Sequence, residues 1–114
     1  MGIYSTMNNP FFIIFFLKVV VFFMYSMDVQ PKFKRKVNKV KDKKERSNIW
    51  NKMVEIATTL ETNPDHYKNL RRPLQEYKRV HVNGSYVILF IVDEANKKVT
   101  FHNYAHHDDI YRNK

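Results

Sequence analysis

The chain has 114 residues, of which 20 are Lys or Arg and 11 are Asp or Glu, so its formal net charge is +9; 44% of the residues are hydrophobic. This length predicts one domain with a modest core, and the lack of cysteine excludes a disulfide scaffold and thiolate metal sites. The excess of positive charge indicates a polyanionic partner, which is nucleic acid, a membrane surface or an acidic protein.

The first 23 residues are predicted to lie outside the folded domain, as a hydrophobic extension. Residues 11–25 are apolar except for Lys18, and this run is shorter than the roughly 20 residues that span a bilayer as a helix. A secretory signal would require positively charged residues before this run, but residues 1–10 contain none. We expect a mis-assigned translation start, with Met24 as the internal one, and the alternative is a genuine membrane anchor. Contact with a membrane is expected only in the second case.

A short strand and a strongly basic helix are predicted next. Residues 25–30 alternate between apolar and polar side chains, which is typical of a strand. Pro31 suits the first turn of a helix, and the helix predicted over residues 31–41 has one apolar face, formed by Phe33, Val37 and Val40. Residues 32–46 contain nine Lys or Arg and two acids, a local charge of 9 − 2 = +7.

A second helix and three strands complete the predicted elements. Ser47 is a suitable N-cap and Pro64 ends the helix, whose apolar stripe consists of Ile49, Met53, Ile56 and Leu60. Strands are predicted over residues 78–82, 86–92 and 98–104, and Asn83–Gly84 is a strong signal for a hairpin between the first two. The tail after them is predicted to form one helical turn.

The order β-α-α-β-β-β predicts an α+β domain, in which a small antiparallel sheet is covered on one face by an N-terminal helical hairpin. The other face of the sheet is expected to be open. Alternation along residues 78–82 places Arg79 and His81 on the same face. Because both are polar, we assign them to the open face.

Three passages resemble the RelE/ParE toxin superfamily. Residues 64–70 (PDHYKNL) are similar to the passage after the second helix of these toxins, and residues 77–88 (YKRVHVNGSYVI) are similar to their central hairpin. Residues 105–111 (AHHDDIY) resemble the terminal motif, most closely that of YafQ-type members. The motifs follow the family order on the matching elements, so residues 24–114 are expected to form a RelE-like toxin domain.

The resemblance implies a function and a set of site residues. Members of the RelE branch are ribosome-dependent mRNA interferases that a partner antitoxin neutralises, so the implied partners are an acidic RelB-like antitoxin, the ribosome and mRNA, in the cytoplasm. His107 matches the histidine or arginine of the terminal motif and Tyr111 its terminal aromatic residue. Arg79 and His81 match the basic strand residues. One departure is Val87, where the family usually has arginine, so a phosphate-stabilising charge is missing there.

RNA cleavage by such residues requires no metal and no cofactor. RNA carries its own nucleophile, the 2′-hydroxyl, and needs a base, an acid and cations for the phosphate. Histidine suits the acid and base roles because its ordinary pKa is about 6.5, so His81 and His107 are the candidate pair, with Arg79 on the phosphate and Tyr111 stacked on a base. The basic residues expected to hold backbone phosphates are Lys34, Arg35, Lys68, Arg71 and Arg72.

Other interpretations remain open at this point. A ParE-like inhibitor of DNA gyrase would need no histidine pair, and a decayed RelE-fold protein would keep the antitoxin contact without cleavage. Val87 makes the second of these relevant. A metal site is a further alternative, with ligands drawn from His102, His106, His107, Asp108 and Asp109.

Overall fold

A computed structural model describes residues 24–112 of the chain. The predicted order is confirmed, and its elements are β1 (Ser26–Val29), α1 (Pro31–Asn38), α2 (Lys43–Thr62), β2 (Lys78–Val82), β3 (Tyr86–Asp93), β4 (Lys98–His106) and a 3-10 turn (His107–Asp109). The hydrophobic extension over residues 1–23, whether mis-assigned or a membrane anchor, lies outside the described residues. Within the described part, no helix is long and apolar enough to cross a bilayer.

The four strands form one sheet in the order β1-β4-β3-β2. The β2–β3 and β3–β4 pairs are antiparallel, as predicted, but β1 runs parallel to β4, with Ser26 opposite Lys98. The sheet is therefore mixed and not purely antiparallel. The cause is the place of β1: the helical hairpin carries the chain away from it, and it lies at the edge beside the last strand, β4.

The two helices differ from the predicted ones at their facing ends. Helix α1 has Pro31 in its first turn and ends at Asn38, earlier than predicted. Helix α2 begins before Ser47, because Asp42 is its N-cap: the Asp42 carboxylate accepts a hydrogen bond of 2.8 Å from the Lys44 amide. The negative charge of Asp42 also interacts favourably with the positive end of the helix dipole. Helix α2 therefore includes part of the lysine-rich run.

The helical face of the sheet carries the main core. Phe90, Phe101, Ile49, Ile56 and Leu60 are fully buried there. The rings of Phe33 on α1 and Phe101 on β4 lie 5.7 Å apart. Because burial of one such side chain contributes about 1.5–3 kcal/mol, this face supplies most of the stability of the domain.

The opposite face, called the second face below, is not open as predicted. Leu70, Val87, Leu89 and Ile110 are buried there as a second cluster, with Leu74, Tyr77 and Tyr111 packed against it. The loop before β2 and the C-terminal turn thus cover β3, while Arg79 and His81 on the edge strand β2 stay exposed. The physical reason is the composition of β3, which is apolar at successive positions and needs cover on both faces.

A β-bulge interrupts β4 at His102. Phe90 lies opposite Phe101 and Leu89 opposite Asn103, so His102 is the extra residue on β4. The bulge shifts the alternation of side chains by one position. Phe101 and Tyr104 therefore both belong to the helical core, although an unbroken strand would place them on opposite faces.

Candidate functional site

The β2–β3 turn determines the position of His107. Asn83 and Gly84 both have positive φ, 54° and 75°, which asparagine and glycine adopt more readily than other residues. Together with Ser85 they connect Val82 to its partner Tyr86. The Ser85 carbonyl oxygen accepts a hydrogen bond of 2.8 Å from the His107 amide and lies 3.1 Å from its Nδ1. The hairpin signal in the sequence is thus directly tied to the placement of this histidine.

This turn is held in place by a network that reaches helix α2. The Asn83 side-chain amide donates to the Glu45 carbonyl oxygen at 3.1 Å and to the Tyr104 hydroxyl at 3.2 Å, and its oxygen accepts from Asn48 at 2.9 Å. The Tyr104 hydroxyl donates to the Glu45 carboxylate at 2.9 Å. Burial, followed by the effect of Glu45, raises the pKa of Tyr104 to about 12, so the phenol stays protonated and keeps donating.

Both ring nitrogens of His107 have a polar partner. A carbonyl oxygen can only accept, so Nδ1 is the donor in the contact with Ser85. Nε2 lies 2.9 Å from a carboxylate oxygen of Asp108. The ring is about half exposed, at 46%, and the centres of the His107 and His81 rings are 6.4 Å apart. Two accessible imidazoles therefore face each other at the edge of the sheet.

Two arginines and a tyrosine form a neighbouring cleft on the second face. Its volume is about 380 Å³, and it is lined by Asn69, Leu70, Arg71, Arg79 and Tyr111. The Arg71 guanidinium lies 4.8 Å from the centre of the Tyr111 ring, and the Tyr111 hydroxyl accepts a hydrogen bond of 3.1 Å from the Arg71 amide. This cation–π geometry holds Tyr111 beside two positive charges.

The remaining predicted phosphate contacts do not join this cleft. Lys68 and Arg72 are exposed on the loop before β2 but do not line it. Lys34 and Arg35 lie on α1 and do not line it either. Lys34 instead borders a groove of about 570 Å³ between the two helices, with the exposed Trp50.

Comparisons with known proteins decide the family. No family model matches the chain. A protein of Methanocaldococcus jannaschii named "Putative toxin RelE4" is 45% identical over 93 residues, which are 80% of this chain and 95% of that protein. The chain belongs to the RelE toxin family. It is thus related to toxins of toxin–antitoxin systems. A second relative, an uncharacterized protein of Methanosarcina mazei, is 40% identical over 90 residues, which are 77% of this chain and 100% of that protein.

Solved structures of RelE-family toxins share the fold. The isolated E. coli RelE toxin has a TM-score of 0.56 at 18% identity, over 72% of this chain and 83% of that one. RelE from the RelB–RelE complex of Methanococcus jannaschii has a TM-score of 0.54 at 21% identity, over 75% and 95%. YafQ from E. coli has 0.53 at 15% identity, over 76% and 98%. These likenesses establish the RelE fold.

Val87, where the resemblance implies an arginine, lies in apolar surroundings. Its side chain is fully buried in the second cluster, on the strand position paired with His81. The packing around it is apolar too. Two cations, Arg71 and Arg79, line the neighbouring cleft.

The groups of the predicted metal alternative are only partly together. His106, His107 and Asp108 place one ligand atom each within 4.8 Å of one another. His102 is elsewhere: its ring meets Tyr77 edge-on at 5.2 Å, and burial lowers its pKa. The Asp109 carboxylate lies 3.5 Å from the Arg112 guanidinium. His102 is four residues before His106 on an extended strand, about 13 Å away along β4, so it is not part of this group.

Sequence reasoning missed two features of the site. Ser85 and Asp108 hold His107, and no sequence motif marks a backbone carbonyl as its partner. A second cleft lies on the helical face, where the Tyr86 ring stacks on Tyr104 at 5.0 Å and meets His106 edge-on at 5.6 Å. The alternation of the strand could have placed Tyr86 on this face, but only the bulge brings Tyr104 and His106 beside it.

Proposed function

We propose that this chain is the toxin of a type II toxin–antitoxin pair and an endoribonuclease that cleaves mRNA on the ribosome, in the cytoplasm. The observation that carries the proposal is the meeting of His81 and His107 on the second face, beside the cleft with Arg71 and Arg79. Family membership supports the toxin class. The net charge of +9 supports a polyanionic substrate.

The chemistry follows from the two imidazoles. His81 removes the proton of the 2′-hydroxyl, whose oxygen attacks the adjacent phosphorus. His107 donates its proton to the 5′-oxygen as the phosphorus–oxygen bond breaks, which leaves a 2′,3′-cyclic phosphate and a free 5′-hydroxyl. The ring separation of 6.4 Å leaves space for a phosphate between them. We assign the acid role to His107 because its ring nitrogens face two acceptors, the Ser85 carbonyl oxygen and the Asp108 carboxylate.

The remaining residues of the second face bind and orient RNA. Arg79 and Arg71 stabilise the negative charge that develops on the phosphate, in place of the arginine that Val87 replaces. Tyr111, fixed by its contacts with Arg71, stacks on a base next to the cleaved bond. Lys68 and Arg72 contact phosphates farther along the strand, and Lys34 and Arg35 contact ribosomal RNA. The reaction needs no metal and no cofactor.

The proposed inhibitor of the toxin is an acidic antitoxin of the RelB class. RelE toxins of Methanococcus jannaschii, E. coli and Mycobacterium tuberculosis were solved in complex with RelB-type antitoxins. The groove between α1 and α2 fits such a partner: Trp50 and Val29 are 55% and 40% exposed there, with Lys34 and Arg46 beside them. An amphipathic acidic segment would cover the apolar side chains and pair with both cations.

Induced expression tests the activity. In cells that produce the full chain, we expect growth arrest and rapid mRNA decay, and we expect His107→Ala to reduce cleavage by about 10²–10⁴-fold, the usual contribution of a general acid. His66→Ala is the matched control, since His66 is exposed on the loop before β2. Equal growth and equal mRNA decay with the wild-type and His107→Ala chains would contradict the proposal.

The alternatives are a ParE-like gyrase inhibitor and a RelE-fold protein that retains antitoxin binding without cleavage. The burial of Val87 favours them, because it leaves the paired position without charge. A purified chain that blocks gyrase supercoiling but leaves translated mRNA intact would identify the first. A chain that binds its antitoxin and does neither would identify the second.

A further inference from the structure

A lysine cleft lies on the helical face, on the other side of the sheet from His81 and Arg79. Its volume is about 470 Å³, within the range of about 300–1,000 Å³ that is typical of small-ligand sites. One wall comes from α1 and the segment after it, and the other from the ends of β3 and β4. The five residues that define it here are Lys36, Lys39, Lys41, Tyr86 and His106.

Few negative side chains within the lysine cleft neutralise its positive charge. Within residues 24–112, none of its three ammonium groups has a carboxylate at ion-pair distance. Two acids also line the cleft, but the Glu45 carboxylate accepts the Tyr104 hydroxyl at 2.9 Å and the Asp109 carboxylate faces Arg112 at 3.5 Å. Burial and the neighbouring Lys32 and Lys39 lower the pKa of Lys36, against an opposing effect of the Asp109 carboxylate. An anion bound here would relieve that crowding of positive charge.

The aromatic wall adds a different preference. One face of the Tyr86 ring stacks on Tyr104, with an angle of 15° between the planes. The ring is still 37% exposed, which is unusual for a tyrosine on an interior strand. Rings exposed beside lysines are the combination that binds unpaired nucleotides, since bases stack on aromatic faces and phosphates pair with the cations. An acidic peptide would use the lysines but not the ring.

The lysine cleft and the second face meet at the C-terminal turn. His106 lines the cleft, its ring stacks on that of His107 at 4.7 Å, and His107 faces His81 across the edge of the sheet. A single strand that passes over this turn would therefore reach both surfaces, with two stacked imidazoles between them.

We propose that the lysine cleft binds an unpaired RNA nucleotide outside the cleaved bond, with its base on Tyr86 and His106 and its phosphates on Lys36, Lys39 and Lys41. This inference rests on the proposed action on RNA, but it concerns binding and not cleavage. It assigns the basic charge of α1 to two surfaces: Lys34 borders the groove with Trp50, whereas Lys36 and Lys39 face the nucleotide. The ligand class is single-stranded RNA, either message or an unpaired ribosomal segment.

The test measures affinity of the full chain for a labelled single-stranded RNA and for the duplex of the same sequence. The double variant Lys36→Gln/Lys39→Gln should weaken binding of both by about tenfold or more. It should also reduce the steepness of the fall of log K with log salt concentration, by about one to two in the slope. The control Lys97→Gln/Lys98→Gln has the same net charge, with its changes at two exposed residues, one in the β3–β4 turn and one at the start of β4, and should change affinity by less than about threefold.

Tyr86 variants test the stacking. Tyr86→Leu should weaken binding of the single strand by about five- to a hundred-fold, the range for loss of one stacked base, and leave the duplex unchanged. Tyr86→Phe keeps the ring and should restore binding, which separates stacking from a folding defect.

The results distinguish this inference from the proposed cleavage. Equal RNA affinity of the two double variants, or no binding by the wild-type chain, would overturn the nucleotide site even if induced cells degrade mRNA. Loss of binding in the lysine-cleft variants would support it even if the wild-type chain never cleaves. Weaker binding of both RNAs by Lys36→Gln/Lys39→Gln, with no effect of Tyr86→Leu on the single strand, would also overturn it, because phosphate contact alone would then explain the affinity.

Discussion

The two faces of the sheet differ in how much they bury. The helical face buries a large core that includes Phe33, Phe90 and Phe101, whereas the second face has four buried side chains under a loop and a C-terminal turn. The exposed Arg79, His81 and His107, which we propose to act on RNA, belong to the second face. A small cluster lies beside these residues without enclosing them, so they stay accessible while the larger core maintains the fold.

The largest expected effect comes from truncating two adjacent residues of β3, one in each buried cluster. Phe90→Ala should lower the free energy of unfolding by about 3–5 kcal/mol, because it leaves a cavity between the helices and the sheet. Leu89→Ala should cost less, about 2 kcal/mol, because the half-buried Leu74, Tyr77 and Tyr111 can move into the space. Urea denaturation of both variants measures the difference, and an equal loss would show that the two faces are equally rigid.

An intermediate effect is expected from Val87→Arg, which introduces the charge that the resemblance to RelE toxins implies at this position. Because Val87 is fully buried among Leu70, Leu89 and Ile110, the longer side chain must displace them, and the variant should lose about 1–3 kcal/mol of stability. Gain of cleavage is not expected, since the displaced C-terminal turn carries His107.

The control for this variant is Ala95→Arg, which adds the same charge at an exposed position of the β3–β4 turn. Its stability should change by no more than about 0.5 kcal/mol. Thermal unfolding and RNA cleavage of both variants are measured together. A Val87→Arg chain that is as stable as the wild type and cleaves faster would show that the second cluster accommodates a cation.

The smallest expected effect concerns the pH dependence of the second face. Burial lowers the pKa of His102 below its ordinary value, so the unfolded chain binds a proton more readily than the folded chain does. The stability contributed by neutral His102 is therefore complete above the ordinary pKa of about 6.5 and is lost as the pH falls through the lower, folded value. Between pH 7 and pH 5, the melting temperature of the His102→Gln chain should change less than that of the wild type or of the His66→Gln chain. An identical slope in all three chains would refute this.

The sequence alone determined the elements and much of the exposure. Helical periodicity, Pro31 and Pro64 predicted two helices, and the Asn83–Gly84 signal predicted the turn that now holds His107. Alternation along β2 correctly predicted that Arg79 and His81 are exposed. The prediction holds because side chains alternate between the two faces of a strand, and β2 buries only one face. The resemblance in three short passages predicted the RelE family, which the comparisons confirmed.

The family resemblance named His107 as the partner of His81, but only the tertiary structure gives the physical reason. An unbroken β4 would keep one alternation to its end, but the bulge at His102 reverses it, so His106 faces the lysine cleft and His107 the second face. Strand pairing across the sheet creates that bulge, and no local pattern in residues 98–106 shows it. The same holds for the burial of Val87 and the parallel β1, since both depend on which distant segments cover or flank a strand.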